Sequence, residues 1–373
     1  MQALESACLS LTEFHQRSGF ADPRKTLKPR RKDITSALKT VFWAFSLQAR
    51  TGLATAYALE RCFEPEAFGQ DDKGDRYHRN KWSGYLAGRN QPEKVLAAVE
   101  AKCPGANDCL SNPLWAALTD RPLTRLQLEA LIMPLEPGIQ SLVRRRGPSP
   151  HPAHPQGSRI DHRLAEALER RASLDALAAA VILLRIAHAE GATALAFQWG
   201  RHVLRIMVML SELLHEGGIA RPLLELIEER VLRLARHDGA QPGFPRGTFA
   251  EIARHYASAM RRIDGKPFES MSQTERQAAR QSRLGFRAGF DYFYAFNPIR
   301  VLADFGAGAL GEQVLATPDA WLHTWALNML AMGGHRDPPP ALVRAGEDLW
   351  ARQEGATSQS KQSGESLSSG YQP

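Results

Sequence analysis

The stretch Ser173-Leu-Asp-Ala-Leu-Ala-Ala-Ala-Val-Ile-Leu-Leu-Arg-Ile-Ala-His-Ala-Glu-Gly191 indicates what kind of fold this chain adopts. Its apolar residues belong to a longer segment, residues 160–189, in which they recur at the three- and four-residue spacing of a helix. Gly191 follows closely, and glycine is the residue most often found just after a helix. The segment therefore predicts one long helix that ends at this glycine.

The rest of the second half carries the same signs of helix starts and ends. Two segments fit the capping-box pattern, in which Ser or Thr is followed three residues later by Glu: Thr248-Phe-Ala-Glu251 and Ser272-Gln-Thr-Glu275. Clean period-two alternation, which would indicate half-buried strands, is absent. Further helices are predicted over residues 193–215, 222–239, 248–264, 272–297, 317–333 and 340–353.

The first half is also predicted to be helical. A short helix is predicted within residues 1–20, and Asp33 is a suitable N-cap for an apolar helix over residues 34–63. Gly52 weakens the middle of that helix and leaves open whether it divides there. Helices over residues 77–87, 92–102 and 122–133 follow. The sequence as a whole predicts an all-α fold.

A proline-rich segment separates the two halves. It reads Arg144-Arg-Arg-Gly-Pro-Ser-Pro-His-Pro-Ala-His-Pro155 and lacks apolar periodicity, which is typical of a linker. The last residues have too few apolar side chains to offset chain entropy. We therefore predict an N-terminal segment with a basic arm (1–32), a helical domain (33–143), a linker (144–158), a second helical domain (159–353) and a disordered tail (354–373).

The composition limits the class of partner. Lys and Arg number 47 against 40 acidic residues, which gives a formal charge of +7 and favours anionic partners such as nucleic acid. The longest apolar candidates, residues 176–186 and 203–214, are shorter than the roughly 20 residues of a membrane span and contain Arg185 and Arg205. The 4 scattered cysteines and an N-terminus unlike a signal peptide predict a cytoplasmic protein with no membrane partner.

The stretch Lys81-Trp-Ser-Gly-Tyr85-Leu-Ala-Gly88-Arg-Asn-Gln-Pro92 suggests a known way of using a helix. Tyr85, Gly88 and Pro92 have the spacing aromatic-x-x-Gly-x-x-x-Pro. A glycine at this position can end a helix in the left-handed conformation, and a proline can begin the next helix. The pattern supports the helices predicted over residues 77–87 and 92–102.

Over residues 77–92 the chain resembles the end of the recognition helix in Cro/C1-type helix-turn-helix domains. In that family the aromatic residue packs inward and the residues just before it face the major groove. The resemblance implies that Trp82 takes a buried position. It also implies a set of residues that face DNA, of types that reach base edges and phosphates, namely Arg79, Asn80, Lys81 and Ser83.

A second interpretation of this stretch needs no DNA. Residues 77–92 would then be a helix C-cap followed by a helix that begins at proline, with Trp82 and Tyr85 simply in the core. The resemblance also requires an apolar helix directly before the turn, whereas residues 69–75 look like a loop. Farther on, residues 103–115 resemble stretches of uncharacterised bacterial proteins, which implies no activity.

Two other basic features are candidate binding sites. The helix predicted over residues 272–297 carries a row of arginines at helical spacing, Arg276, Arg280, Arg283 and Arg287. Guanidinium groups suit phosphate or carboxylate, so this row would contact nucleic acid, an acidic protein or a second copy, unless it is only a solvated face. The basic run 24–32, which includes Arg30, Arg31 and Lys32, is either an arm for a polyanion or a solvated linker.

Motifs for enzyme chemistry are weak. The segment Gly306-Ala-Gly-Ala-Leu-Gly311 matches the dinucleotide pattern, but that pattern needs a parallel sheet and the neighbouring segments look helical. Cys103 and Cys109 have no paired Cys or His set at zinc-site spacing. We therefore predict no cofactor and no metal, and we identify no nucleophile with its base.

The leading hypothesis is a DNA-associated or regulatory protein that binds nucleic acid through residues near 79–83 and through the basic arm. An alternative is a helical interaction or assembly module that docks an acidic partner, or a second subunit, on the arginines of residues 276–287. A third is an enzyme that uses a nucleotide-type cofactor at residues 306–311.

Overall fold

The structure, a computed structural model, describes residues 8–17, 33–70, 76–146, 161–237, 240–244, 248–260, 262–263, 266–267, 270–284 and 299–301, with a few single positions beyond. Most of these residues are helical, which confirms the predicted helical class. The strands in these ranges are short and form antiparallel pairs of two, which the sequence did not predict. The predicted tail (354–373) lies outside the described residues.

The described part of the chain before the proline-rich segment is built from eight α-helices. They are α1 (Leu11–Arg17), α2 (Ile34–Thr51), α3 (Ala56–Phe63), α4 (Lys81–Leu86), α5 (Leu96–Lys102), α6 (Pro113–Ala117), α7 (Arg125–Ala130) and α8 (Pro137–Arg146). A hairpin of β1 (Phe68–Gln70) and β2 (Arg76–His78) lies between α3 and α4, and short 3-10 helices span Pro65–Ala67 and Asp108–Leu110.

The second part of the described chain continues in the same manner. Its helices are α9 (His162–Arg171), α10 (Leu174–Ala189), α11 (Thr193–Met209), α12 (Ser211–Glu216), α13 (Ala220–Arg230), α14 (Thr248–Met260) and α15 (Gln273–Leu284). A 3-10 helix spans Leu232–Ala235, and the strands are β3 (Ala240–Pro242), β4 (Arg262–Ile263), β5 (Lys266–Pro267) and β6 (Ile299–Val301).

Helix α10 is the centre of the first half of the structure. Every residue from Ala176 to Ala187 is buried, and the helix packs against α11, α6, α7, α8 and α9. A helix that is apolar on all sides is stable only when other elements cover it. Its start is fixed by Ser173, whose Oγ accepts the N–H of Ala176 at 3.2 Å.

Three predicted helical segments are divided, one of them at Gly52, where the sequence left this open. The segment 160–189 breaks between α9 and α10, because Ala172 adopts a left-handed φ of 40° and Ser173 caps the new helix. The segment 34–63 breaks after Gly52, whose φ is 70°, and Thr55 caps α3 by accepting the N–H of Ala58. The segment 193–215 divides into α11 and α12.

The chain forms two compact units, Met1–Ala235 and Arg236–Pro373. This division differs from the predicted one, in which residues 144–158 separate two domains. Helix α8 includes residues 144–146, and α10 packs against α6, α7 and α8 from the other side of the proline-rich segment. Helices on both sides of the proline-rich segment therefore pack on one another.

In the described part of the second unit, short strands accompany the helices α14 and α15. β3 pairs with β6, with Gln241 opposite Arg300. In α14 the side chains of Phe249, Ile252, Tyr256 and Met260 are buried at helical spacing. Helix α15 begins with the predicted capping box, in which the N–H of Ser272 donates to Glu275 at 2.8 Å and the N–H of Glu275 donates to Ser272 Oγ at 3.3 Å.

Candidate nucleic-acid interface

Helices α3 and α4 pack against each other and hold the residues that the helix-turn-helix resemblance singles out. Asn80 precedes α4 with a φ of 50° and gives it no side-chain cap. Helix α3 supplies the missing cap, because Glu60 Oε1 accepts the N–H of Lys81 at 3.1 Å. A carboxylate at a helix N-terminus is favoured both by the free N–H groups and by the helix dipole.

A second carboxylate, Glu64 at the end of α3, completes this contact. It accepts a hydrogen bond from Lys81 Nζ at 2.7 Å and another from Trp82 Nε1 at 3.1 Å. Glu64 is buried, and the side chain of Lys81 is only 29% exposed. The positive charge of Lys81 is therefore largely neutralised by a neighbouring helix and is not free for a phosphate.

An aromatic cluster anchors α4 in the core. The ring of Trp82 is fully buried and stacks between Trp43 and Phe63, with centroid distances of 5.6 Å and 5.5 Å. Tyr85 meets Trp82 edge-on at 5.4 Å. Burial, together with the nearby charges of Glu64 and Glu60, raises the pKa of Tyr85 to about 12. Both aromatic residues thus belong to the core, as either interpretation of the sequence requires.

The turn after α4 is made by Gly88 in the left-handed conformation, with a φ of 71°. The N–H of Gly88 donates to Tyr85 O at 3.0 Å, and the N–H of Arg89 donates to Gly84 O at 2.8 Å. This confirms the predicted glycine stop. The next helix, predicted from residue 92, starts only at Leu96, because a turn in which the N–H of Val95 donates to Pro92 O comes first.

The four predicted DNA contacts lie around the start of α4. Arg79 and Asn80 are exposed, and Ser83 Oγ donates to Asn80 Oδ1. Asn90 joins them by donating to Lys81 O at 3.3 Å. The predicted helix over residues 77–87 was too long, since residues 76–78 form β2 and the helix begins at Lys81. We call Arg79, Asn80, Lys81 and Ser83 the α4 edge.

The helix that packs against α4 lies farther from it in the sequence than the resemblance implies. In the resemblance it would stand directly before the turn, whereas here the β1–β2 hairpin and a 3-10 helix separate α3 from α4. Two packed helices are nevertheless present, and their contact uses Glu60 of α3 and Glu64, the residue that caps its C-terminal end. A short hairpin can be inserted without moving the helices that flank it, because its two ends are held side by side.

The structure describes only some of the remaining predicted contact residues. Arg276, Arg280 and Arg283 fall within α15, and Arg276 is half-buried and already interacts with neighbouring groups. The side chains of Arg280 and Arg283 are outside the described residues. So are the predicted arm residues Arg30, Arg31 and Lys32, together with Arg287 and the glycine segment 306–311.

A buried polar cluster elsewhere was not predicted. Glu169 of α9 is buried and lies 2.6 Å from His202 Nδ1 and 2.7 Å from Arg205 Nε, both on α11. Arg205 Nη2 donates to the other carboxylate oxygen at 3.0 Å. The sequence did contain a signal, because Arg205 interrupts an apolar run and an arginine must find a partner when it is buried.

The surroundings determine the protonation of Glu169. Burial alone raises the pKa of a carboxyl group, but the charges of Arg205 and His202 and their hydrogen bonds lower it, and the resulting pKa lies below the usual value of 4.5. The carboxylate is therefore ionised and ties α9 to α11. We assign this cluster to the packing of the first unit.

Comparisons of this chain with models of protein families, with curated proteins and with solved structures find no match. Within the described ranges, no helix is both long and apolar enough to cross a membrane. In the same ranges, no three His, Cys, Asp or Glu side chains are grouped as a metal site would require. The geometry of the α4 edge is thus the main basis for a functional proposal.

Proposed function

We propose that this chain binds nucleic acid through the α4 edge. One observation carries the proposal: Arg79 and Asn80 are exposed directly before a short helix that the aromatic cluster and two carboxylates hold rigidly. Arg and Asn are side chains that pair with base edges and phosphates. A rigid support favours such contacts, because less conformational freedom is lost on binding.

Within this proposal the residues of the α4 edge have unequal roles. Arg79 supplies an exposed positive charge, and Asn80 and Ser83 supply hydrogen-bonding groups. Lys81 contributes less, because its ammonium group already pairs with Glu64. The basic arm with Arg30, Arg31 and Lys32 would add phosphate contacts that depend on charge and not on sequence.

The test is fluorescence anisotropy with labelled double- and single-stranded DNA over a salt series. We expect affinity to fall as salt rises, since phosphate contacts release counterions. Arg79→Ala should weaken binding and reduce the salt slope by about 1, the value for one lost phosphate contact. Lys81→Ala should have a smaller effect on both.

Arg163→Ala is the matched control, because Arg163 is an exposed arginine on α9. It changes the net charge by the same amount as Arg79→Ala. Affinity that does not depend on salt, or equal losses in these two variants, would rule out the α4 edge as the binding surface.

A second proposal is that α15 binds an acidic protein or a second copy of this chain. It is supported by the bounds of α15, Gln273–Leu284, which bring Arg276, Arg280 and Arg283 into one helix. We expect the double variant Arg280→Glu/Arg283→Glu to lower the mass measured by sedimentation while leaving DNA binding unchanged. A wild-type chain that sediments as a monomer would exclude the self-association form of this proposal.

A further inference from the structure

An exposed aromatic side chain, Tyr57, lies on α3 near the α4 edge. It is 51% exposed. In the described part of the chain the other large apolar side chains with comparable exposure are not aromatic, namely Leu126, Met133 and Leu213. An aromatic ring at a protein surface offers a flat apolar area on which a nucleic-acid base can stack. The surroundings of Tyr57 therefore bear on which nucleic acid the α4 edge binds.

Helix α3 itself connects Tyr57 to the start of α4. Glu60 lies three residues after Tyr57, a spacing that puts the two Cβ atoms about 5–6 Å apart on the helix surface. The carboxylate of Glu60 in turn accepts the N–H of Lys81 at 3.1 Å. Tyr57 is therefore on the order of 10 Å from the first residue of α4.

The β1–β2 hairpin provides a second connection. The ring of Tyr57 meets the ring of Phe68 edge-on, with a centroid distance of 5.1 Å and an interplanar angle of 80°. Phe68 is the first residue of β1 and pairs with His78, the last residue of β2, which Arg79 follows directly. Tyr57 and Arg79 thus both lie at the open end of the hairpin, where its two strands leave it.

A positively charged side chain lies next to Tyr57 on the same helix. Arg61 follows Tyr57 by four residues, so the two side chains are neighbours on the surface of α3. Arg61 is exposed, whereas Glu60, the other charged residue of α3, is buried where it contacts α4. The outer surface of α3 therefore presents a ring and a guanidinium group together. We call Tyr57 and Arg61 the α3 face.

We propose that the α3 face and the α4 edge together bind a single strand of nucleic acid. An unpaired base stacks on Tyr57, while Arg61 and Arg79 contact backbone phosphates. This inference rests on the proposed function, binding of nucleic acid by the α4 edge, and adds the class of nucleic acid. Proteins that bind single strands combine stacking aromatic rings with basic groups along the backbone, which is the combination found here.

A duplex suits this surface less well than a single strand. The bases of a duplex are stacked on one another, and a base must leave the stack before a protein ring can contact its flat side. In a single strand the bases are already accessible. About three nucleotides, at roughly 3.4 Å each, cover the distance from Tyr57 to the start of α4. DNA and RNA share this chemistry and differ in the 2′-hydroxyl group.

The test is fluorescence anisotropy on the full chain with labelled oligodeoxyuridine, oligouridine and a DNA duplex of the same length. We expect the single strands to bind more tightly than the duplex, and the tighter of the two identifies DNA or RNA as the source. Tyr57→Leu, which keeps an apolar side chain but removes the ring, should weaken single-strand binding by about 5- to 100-fold. Tyr57→Phe, which keeps the ring, should bind like the wild type.

Two further measurements separate stacking from charge. A strand that has the same phosphates but lacks all bases should bind the wild type and Tyr57→Leu equally, because it has no base to stack. Tyr57→Leu should also leave the salt slope unchanged, since it removes no charge. Arg61→Gln should reduce the slope by about 0.7, the value for one phosphate contact of a single strand, and Arg163→Gln should not.

The outcomes distinguish this inference from the proposed function. If Arg79→Ala weakens binding but Tyr57→Leu and Tyr57→Phe bind single strands equally, the α4 edge binds nucleic acid without Tyr57 and this inference alone is overturned. Tighter binding of the duplex than of both single strands would overturn it as well. If the affinity does not depend on salt, or if Arg79→Ala and Arg163→Ala lose the same affinity, the proposed function fails and this inference fails with it.

Discussion

At the scale of single residues, charges inside apolar helices explain much of how this chain packs. Arg185 and Arg205 interrupt the two longest apolar runs, and both are buried. Arg205 meets a carboxylate on another helix, whereas Arg185 meets backbone carbonyls. Each arginine thus fixes how its helix is placed against a neighbour, since a buried charge without a partner is costly.

We expect Glu169→Gln to destabilise the protein by about 3–5 kcal/mol at pH 7, the range for breaking a buried ion pair, because Arg205 would keep its charge without a carboxylate. The folded-state pKa of Glu169 lies below 4.5, so the stabilisation by its carboxylate is complete above that pH and is lost as pH falls through the folded pKa. The difference between wild type and variant should therefore shrink in acid.

Urea unfolding at several pH values measures this difference. Glu166→Gln is the control, because Glu166 lies on the same helix, is exposed, and pairs with Arg170 at 3.8 Å. That change should cost no more than about 1 kcal/mol. If the two variants lost the same stability at neutral pH, the buried cluster would not be an important tie between α9 and α11.

At the scale of elements, α4 shows how a short helix depends on its surroundings. Six residues are too few to form a stable helix in isolation. Glu60 binds its first N–H, Trp82 and Tyr85 anchor it in the aromatic cluster, and Gly88 ends it. The element therefore depends on tertiary contacts at its start, its middle and its end.

Two left-handed glycines allow the contribution of close packing to be isolated. A Cβ at Gly88 would lie 3.1 Å from the Cβ of Ala37, whereas a Cβ at Gly52 would meet nothing within 4 Å. Gly52→Ala should cost about 1–2 kcal/mol for the left-handed conformation alone. Gly88→Ala should cost about 1–3 kcal/mol more, because α2 and α4 would have to separate.

Urea unfolding gives the free energy of unfolding of both variants and so separates the cost of the left-handed conformation from the cost of close packing. A larger loss for Gly88→Ala is the expected result. Equal losses would mean that the contact between the turn and α2 adjusts without cost, and the α4 edge would then be less rigidly held than we infer.

At the scale of the whole molecule, the division of the chain after Ala235 leads to a prediction about fragments. A fragment of residues 1–235 should give a strongly helical dichroism spectrum and unfold cooperatively, because it contains α10 and the helices that cover it. A fragment of residues 1–146, which ends at the proline-rich segment, should not, because its α6, α7 and α8 would lose the helix on which they pack.

Thermal unfolding followed by circular dichroism compares the two fragments directly. Full-length protein provides the reference for helix content. Cooperative unfolding of the shorter fragment would restore the proline-rich segment as a domain boundary and would contradict the single core that we describe for residues 1–235.

The sequence by itself determined the helical class, the glycine stop at Gly88 and the capping box at Ser272, because these depend on residues close together in the chain. Tertiary structure alone decided that Glu64 takes the charge of Lys81 and that one core spans the proline-rich segment. It also decided that Arg185 and Arg230 stand side by side. Each of these is a contact between residues far apart in the chain, and local periodicity carries no information about which distant faces will meet.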